Sequence, residues 1–260
     1  MERGGSLQSR KAERARKRAG ILHANAVRLM ARGKYRAAEI AFGAALRSAH
    51  NAGASDRQFL AAVLNDFAVL CKYTGRGKAA ERMYRRALRI LNSAESPDAS
   101  SIATVYHNLA GIAFANRRYG AASRYARQGI EIRRTVRPLD HLGLALDEAA
   151  FAAILAESGK DAAARKLLSK ALRFFRRRLG HRHYEVGAAL ANFGVLQWKA
   201  GRTRAARRTL SRSISILNRV LGKGHPRAAA AMQNLAMIKA KSNRRASTSQ
   251  GGLRRSKTWP

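Results

Sequence analysis

The sequence predicts an all-α protein, an α-solenoid of five helix-turn-helix repeats followed by a C-terminal capping helix. Three observations predict this fold: landmarks recur every 42 residues, two apolar stripes with helical spacing fill each repeat, and a turn signal separates the stripes. The turn positions are occupied by Gly33, Gly75, Arg117, Gly159 and Gly201. A fixed period of this length is typical of stacked units that bury their core against their neighbours.

The second repeat shows how one unit is built. Its first stripe follows the i, i+3, i+4, i+7 spacing of one helical face and contains Leu60, Val63, Leu64, Phe67 and Leu70. Gly75 and Gly77 interrupt the pattern, and a second stripe follows with Ala80, Met83, Tyr84, Ala87, Leu88 and Leu91. Each repeat is therefore predicted to be two helices joined by a tight turn.

The remaining repeats keep the same register. Small residues recur in the first helices at Ala26, Ala68, Ala110, Ala152, Gly194 and Ala236, and in the second helices at Ala38, Ala80, Ala122, Ala164 and Ala206. They allow close approach of paired helices, where larger side chains would overpack the contact. The predicted repeats are 20–55, 56–97, 98–139, 140–181 and 182–223, with the capping helix at 226–241. Prolines at positions 97, 138 and 226 fall between them.

The two ends of the chain differ from the repeats in composition. Residues 1–19 and 242–260 are rich in Arg, Lys, Ser and Gly and poor in large apolar residues. Neither can bury enough apolar surface to order itself alone. We expect a basic, partly disordered N-terminal tail, in which Glu13–Arg18 could extend the first helix, and a disordered basic C-terminal tail.

The repeat pattern resembles the tetratricopeptide repeat (TPR) in its 42-residue variant, which is similar to that of kinesin light chains. The resemblance covers roughly residues 20–241. It is carried by the small residue of the first helix, the turn glycine, and the Ala, bulky, Ala-Leu order of the second helix, as in Asn65–Ala68, Gly75–Glu81 and Tyr84–Leu88, and by the connector Leu221–Pro226. It implies a right-handed superhelix and a non-catalytic scaffold that takes a peptide or helix in a concave groove.

The groove implied by this resemblance is lined by first helices. Asparagine suits it, because its amide both donates to and accepts from a peptide backbone. The expected groove residues are Asn65, Asp66, Lys72, His107, Asn108, Phe114, Asn192, Trp198 and Asn234. Alternatively, the asparagines bond neighbouring helices to each other. The fourth repeat offers only alanines at the equivalent places (Ala149, Ala150, Ala153, Ala156), which favours an apolar ligand helix there.

The charge suggests a second class of partner. The chain has 52 Lys and Arg against 15 Asp and Glu, a net charge of +37, and most of it lies within the repeats. Such a field attracts nucleic acid, acidic proteins or an anionic membrane surface, although an Arg-rich genome composition would also produce it. Second helices carry arginines on the face opposite their apolar stripe, namely Arg82, Arg85, Arg86, Arg89, Arg124, Arg127, Arg208 and Arg212.

This predicted basic convex face is either a phosphate-tracking surface or an ordinary solvated face. Few aromatic residues interleave with the arginines, so binding of RNA or DNA would be directed to the backbone.

Other function classes find little support in the sequence. The single cysteine, Cys71, lies in an apolar stripe and is expected to be a core thiol. His181 and His183 fall in a connector without accompanying metal ligands, and neither a nucleophile–base arrangement nor a phosphate-cradling glycine loop is present. We therefore expect no enzymatic activity, metal or cofactor. The absence of an apolar span or a signal-like start predicts a cytoplasmic protein.

Overall fold

The structure is a computed structural model that describes residues 2–52, 57–222 and 224–253, and these residues form helices joined by turns, with no strand among them. The predicted all-α fold is confirmed. The helices are α1 (Glu2–Ala31), α2 (Tyr35–Asn51), α3 (Arg57–Tyr73), α4 (Gly77–Asn92), α5 (Ala99–Ala115), α6 (Tyr119–Thr135), α7 (His141–Glu157), α8 (Asp161–Leu179), α9 (Tyr184–Lys199), α10 (Thr203–Leu221) and α11 (Pro226–Leu253).

The chain divides into two compact units. The N-terminal unit is Met1–Asp147 and the C-terminal unit is Glu148–Pro260, so that the boundary falls within α7. In the N-terminal unit α1 packs on α2, α3 on α4 and α5 on α6, while in the C-terminal unit α9 packs on α10 and α10 on α11. Consecutive helices thus form the hairpins that the repeat pattern predicts.

Each hairpin turn ends its first helix with a residue in the left-handed conformation. Gly33, Gly75, Gly159 and Gly201 have φ between 71° and 76°. The amide of the following residue then donates back to a carbonyl in the last turn of the helix, as Arg76 does to Cys71 over 2.8 Å. Glycine is favoured at this position because a β-carbon strains the left-handed conformation.

Arg117 adopts the same conformation without being glycine, with φ 55°. Its turn makes the same closing bond, from the Arg118 amide to the Ala113 carbonyl at 2.8 Å. We expect Arg117→Gly to raise the free energy of unfolding by about 1 kcal/mol, because it removes the strain of a left-handed L-residue. Urea unfolding followed by circular dichroism measures the change. Gly75→Arg is the reciprocal control and should lower stability, whereas a loss of stability in Arg117→Gly would contradict the argument.

The core of the N-terminal unit is formed by large side chains of successive hairpins. Phe42 of α2 and Phe67 of α3 stack with ring centroids 5.4 Å apart, and Phe42 and Tyr84 are fully buried. Aromatic side chains of this size supply much of the apolar area that a small unit can remove from water. Ala26, Ala68 and Ala110 are buried, as expected for small residues at helix contacts.

Close helix approach is most evident in the C-terminal unit. A β-carbon on Gly194 of α9 would lie 2.7 Å from Cγ of Leu210 on α10, and one on Gly187 would lie 3.0 Å from a methyl group of Ile216. Ala236 of α11 has the same repeat position as Gly194 but is exposed, since no described helix follows α11 to pack on it as α10 packs on α9.

The terminal helices are longer than the repeats require. Helix α1 begins at Glu2 and α11 continues to Leu253, so the described parts of the segments expected to be disordered are helical extensions here. Residues 254–260 of the predicted C-terminal tail lie outside the described residues.

Candidate functional site

A polar recess lies between the first helices α3 and α5 of the N-terminal unit. Its cavity volume is about 130 Å³, and Asn65 and Asp66 face Ser101 and Thr104 across it. The described lining residues are Ala61, Ala62, Asn65, Asp66, Leu91, Ser100, Ser101, Thr104 and Val105. Hydroxyl, amide and carboxylate groups in one recess can both donate to and accept from a ligand backbone.

The amides of the first helices are also linked to one another. Asn108 of α5 donates from Nδ2 to Oδ1 of Asn65 on α3 at 2.9 Å, and Asn65 donates to Oδ1 of Asp66 at 3.1 Å. This chain connects neighbouring helices, which is the structural role considered as the alternative for asparagine. Asn108 is therefore a helix-to-helix contact in this structure.

Two further groove candidates form interhelix contacts with histidine. Oδ2 of Asp66 lies 2.8 Å from Nε2 of His23 on α1, and Nδ1 of His107 lies 2.9 Å from Oδ1 of Asp147 on α7. The His23 ring also packs 5.9 Å from the ring of Phe42. These contacts hold Asp66 and His107 in place without enclosing them, since both side chains remain partly accessible.

Lys72 and Phe114 lie farther along the first helices. Lys72 is exposed, and a β-carbon on Gly111 would lie 3.5 Å from its Nζ, so the glycine leaves room for the ammonium group against α5. Phe114 is half-buried, with its ring 5.7 Å from that of Tyr119. The structure does not place either side chain in the polar recess.

In the C-terminal unit, Asn192 is exposed on α9 and Asn234 is half-buried on α11. Trp198 is half-buried, and the ammonium group of Lys241 lies 5.1 Å from its ring centroid, a cation–π arrangement. Lys199 donates from Nζ to the carbonyl of Ala156 at 2.6 Å. Of these side chains, Asn192 is the most accessible amide.

A buried ionic cluster in the N-terminal unit was missed by sequence reasoning. Arg133 of α6, 5% exposed, donates from Nε to Oδ2 of Asp147 at 2.8 Å, and its Nη1 lies 3.0 Å from Oδ2 of Asp140. Asp147 is also 5% exposed. A charge buried this deeply is tolerated when it is paired and hydrogen-bonded, as it is here.

The repeat register contains the signal that could have found this cluster. Arg133 has the repeat position of Leu91, and Asp147 has that of Val105, both of which are buried apolar residues. Glu148, 2% exposed and 2.8 Å from Nζ of Lys170, likewise has the position of Leu64. Aligning repeats by position shows charges where core residues are expected.

The arginines predicted for the convex face are all exposed. Arg85 pairs with Glu81 at 2.8 Å, and Arg127 donates to Oγ of Ser123 at 3.3 Å. Among the described residues, the others make neither an ion pair nor a side-chain hydrogen bond; they are Arg82, Arg86, Arg89, Arg124, Arg208 and Arg212.

Glu81 is one of the few acids among these arginines. Its pKa is lowered, first by the hydrogen bond from Arg118 at 2.6 Å and further by Arg85. Burial raises the pKa of the Cys71 thiol, which therefore stays protonated in the core. A thiol of this kind is unreactive, in agreement with the expected core role.

A basic cleft lies between α10 and α11 in the C-terminal unit. Its volume is about 520 Å³, and four of its six described lining residues are cationic: Arg204, Arg207, Arg208 and Lys239, with Ser211 and Leu235. None of these lining residues is acidic. Two of them, Arg207 and Arg208, are consecutive on α10 and exposed.

Two histidines between repeats, His183 and His225, act as helix caps. Nδ1 of His183 accepts from the amide of Glu185 at 3.2 Å, and His225 does the same for Arg227. Within the described part of the chain, no group of three or more His, Cys, Asp or Glu is arranged to hold a metal ion. The described helices also include none long and apolar enough to span a membrane.

Two tetratricopeptide repeat family models match the chain, one over residues 102–142 and the other over residues 144–218. No curated protein matches the sequence.

Several solved structures share the fold. BtubC (BKLC) from P. vanneervenii is 20% identical, with a TM-score of 0.54 over 92% of each chain. Nearly identical TPR-like repeats of a Podosopora anserina kinesin light chain are 17% identical, with a TM-score of 0.59 over 78% of this chain and 95% of that one. The apo form of RapI is 14% identical, with a TM-score of 0.63 over 86% of this chain and 84% of that one. At these identities the likeness concerns the fold.

Proposed function

We propose that this chain, which is a tetratricopeptide repeat protein with 42-residue, kinesin-light-chain-like repeats, binds a peptide or helix of a partner protein along its first helices. The TPR fold supports a protein–protein interaction scaffold. The observation that carries the finer proposal is the recess between α3 and α5, where Asn65 and Asp66 are held beside Ser101 and Thr104.

The contacts around this recess favour binding because they reduce the freedom of its polar groups. Asn65 is held by Asn108, and Asp66 by His23. Groups that are already ordered lose less conformational entropy when a ligand binds. In the C-terminal unit, Asn192 is exposed on α9, so its amide is accessible to a ligand. Both units therefore present first-helix amides to a partner backbone.

Quantitative affinity purification with mass spectrometry tests the proposal, with Asn192→Ala and Asp66→Ala as separate variants. We expect each to lower partner recovery by about three- to tenfold, because each removes one or two hydrogen bonds of ordinary strength. Asn192 is the cleaner probe of the two, since Asp66 also contacts His23 on α1 and its loss could affect packing as well as binding.

The matched control is Gln128→Ala, which removes an exposed amide from a second helix. It should leave recovery unchanged. Nuclease treatment before purification separates direct protein partners from those tethered by nucleic acid. Binding along the first helices would be contradicted if the Asn192 and Asp66 variants both recovered every partner fully. It would also be contradicted if Gln128→Ala lowered partner recovery as much as they do.

A second candidate function, binding of a polyanion such as RNA, DNA or an acidic protein, is favoured by the α10–α11 cleft and its four cationic residues.

Filter binding of single-stranded RNA across a salt series tests polyanion binding. Each phosphate contact contributes about −0.7 to the slope of log affinity against log salt. Arg207→Gln with Arg208→Gln should make the slope less negative by about 1 to 1.5. The control pair, Arg165→Gln with Arg173→Gln on α8, should change it less. Affinity without a salt slope would contradict this function.

A further inference from the structure

A second basic cleft lies in the N-terminal unit, between the C-terminal halves of α2 and α4 and beside the first turn of α3. Its volume is about 600 Å³, within the usual range for a small-ligand site. Its lining consists of Ala49, His50, Arg57, Leu60, Arg86, Arg89, Ile90 and Ser93. It shares no lining residue with the polar recess between α3 and α5.

The rim of this cleft is cationic. Arg57, Arg86 and Arg89 are exposed, and none of them makes an ion pair or side-chain hydrogen bond with a described residue. Their nearby counterpart Arg85 differs, since Glu81 neutralises it. Three guanidinium groups line one cavity, and no acidic residue is among its described lining residues, so an anion is favoured there.

The floor of the cleft is apolar. Ala49 is buried, and Leu60 and Ile90 are half-buried. A guanidinium group binds phosphate through two parallel hydrogen bonds, and a phosphate monoester carries nearly two negative charges with three acceptor oxygens. An apolar floor beneath such a rim fits a ligand whose anionic group stands on a hydrocarbon stem. A phosphorylated amino-acid side chain has this form.

We propose that the α2–α4 cleft binds a phosphorylated side chain of a partner peptide, with Arg57, Arg86 and Arg89 holding the phosphate and Leu60 and Ile90 contacting the stem and its apolar neighbours. A nucleic-acid strand fits less well, because His50 carries the one aromatic ring among the described lining residues and successive bases would have little stacking surface. The proposal does not depend on ligand binding along the first helices.

Fluorescence anisotropy at physiological ionic strength tests the proposal with three labelled, degenerate peptide libraries. Their fixed central residue is phosphoserine, serine or glutamate, and leucine flanks it in each. We expect the phosphoserine library to bind at least about tenfold more tightly than either of the others, because only a phosphate can accept paired hydrogen bonds from several guanidinium groups at once. Inorganic phosphate should compete with it.

Arg86→Gln with Arg89→Gln should weaken binding of the phosphoserine library by at least about tenfold, since each arginine contributes a charge-assisted contact. The control pair is Arg82→Gln with Arg124→Gln, which removes the same charge from exposed arginines outside the cleft. It should change binding by less than about twofold, because the loss is then only long-range and screened by salt. Thermal unfolding should be similar for both pairs, as all four residues are exposed.

Equal losses in the two pairs would overturn the proposal, since bulk charge would then explain the affinity. Equal binding of the phosphoserine and glutamate libraries would overturn it as well. Binding of a labelled single-stranded RNA is measured with the same two pairs of variants. If the cleft pair weakens RNA binding and leaves the phosphoserine library unaffected, the cleft is a nucleic-acid site and the proposal is wrong.

Discussion

Asp147→Ala should lower the free energy of unfolding by about 3 kcal/mol, because it leaves the guanidinium group of Arg133 buried without its closest carboxylate. Arg133 is 5% exposed, and its Nε donates to Asp147 at 2.8 Å. Asp140 remains within 3.0 Å but is partly exposed, so it compensates only in part. The same substitution also removes the partner of His107.

The decisive comparison is the double variant Arg133→Leu with Asp147→Val. These are the residues found at the same repeat positions one repeat earlier, Leu91 and Val105, both of which are buried. We expect the double variant to recover to within about 1 kcal/mol of the natural protein, since a well-packed apolar pair can replace a buried ion pair. Urea unfolding followed by circular dichroism measures both variants.

If the double variant regains stability, the loss in Asp147→Ala comes from the unpaired charge of Arg133 and not from lost packing. If the double variant were as unstable as Asp147→Ala, the destabilisation would come from the shape of the site and not from the charge of Arg133. A suitable control is Arg124→Leu, which changes an exposed arginine on the same helix and should alter stability by less than about 0.5 kcal/mol.

Phe42→Ala should have an effect of similar size, a loss of about 3 to 5 kcal/mol, because it empties a fully buried aromatic position. The Phe42 ring stacks on that of Phe67 at 5.4 Å and also lies 5.9 Å from the ring of His23. The contacts therefore join α2 to both neighbouring first helices. The unfolding midpoint in urea, measured with the slope of the transition, gives the change in stability.

Ile40→Ala on the same helix is the matched control, because Ile40 is 67% exposed. Its substitution should change stability by less than about 0.5 kcal/mol. A Phe42 variant no less stable than the Ile40 variant would show that the α1–α2–α3 contact is not part of the core.

The repeat register predicts the backbone conformation of the hairpin turns. A left-handed residue is required at one point of each hairpin, and the recurring glycine marks that point because glycine adopts the conformation without strain. Arg117, the exception in the sequence, keeps the same backbone conformation with φ 55°. The register of the repeat therefore predicts the conformation more reliably than the residue type does.

The repeat register does not predict which partners the polar side chains bond. Asn65 and Asn108 share the first-helix faces predicted for a ligand, yet they bond each other at 2.9 Å. Lys199, at the end of the first helix α9, likewise uses its ammonium group within the protein and donates to the carbonyl of Ala156 at 2.6 Å. A side chain with several hydrogen-bonding groups can satisfy them with ligand or with protein, and spacing along a helix does not distinguish the two.

The sequence by itself determined the helix pairs, their turns and the small residues at their contacts, because all of these follow from periodicity and local backbone conformation. Only the tertiary structure decided which charges are buried and which arginines remain unpaired. Arg133 meets Asp147 from the next helix, while Arg57 reaches the same cleft as Arg86 from a different helix. Such pairings depend on distances between helices, which the period of a repeat leaves open.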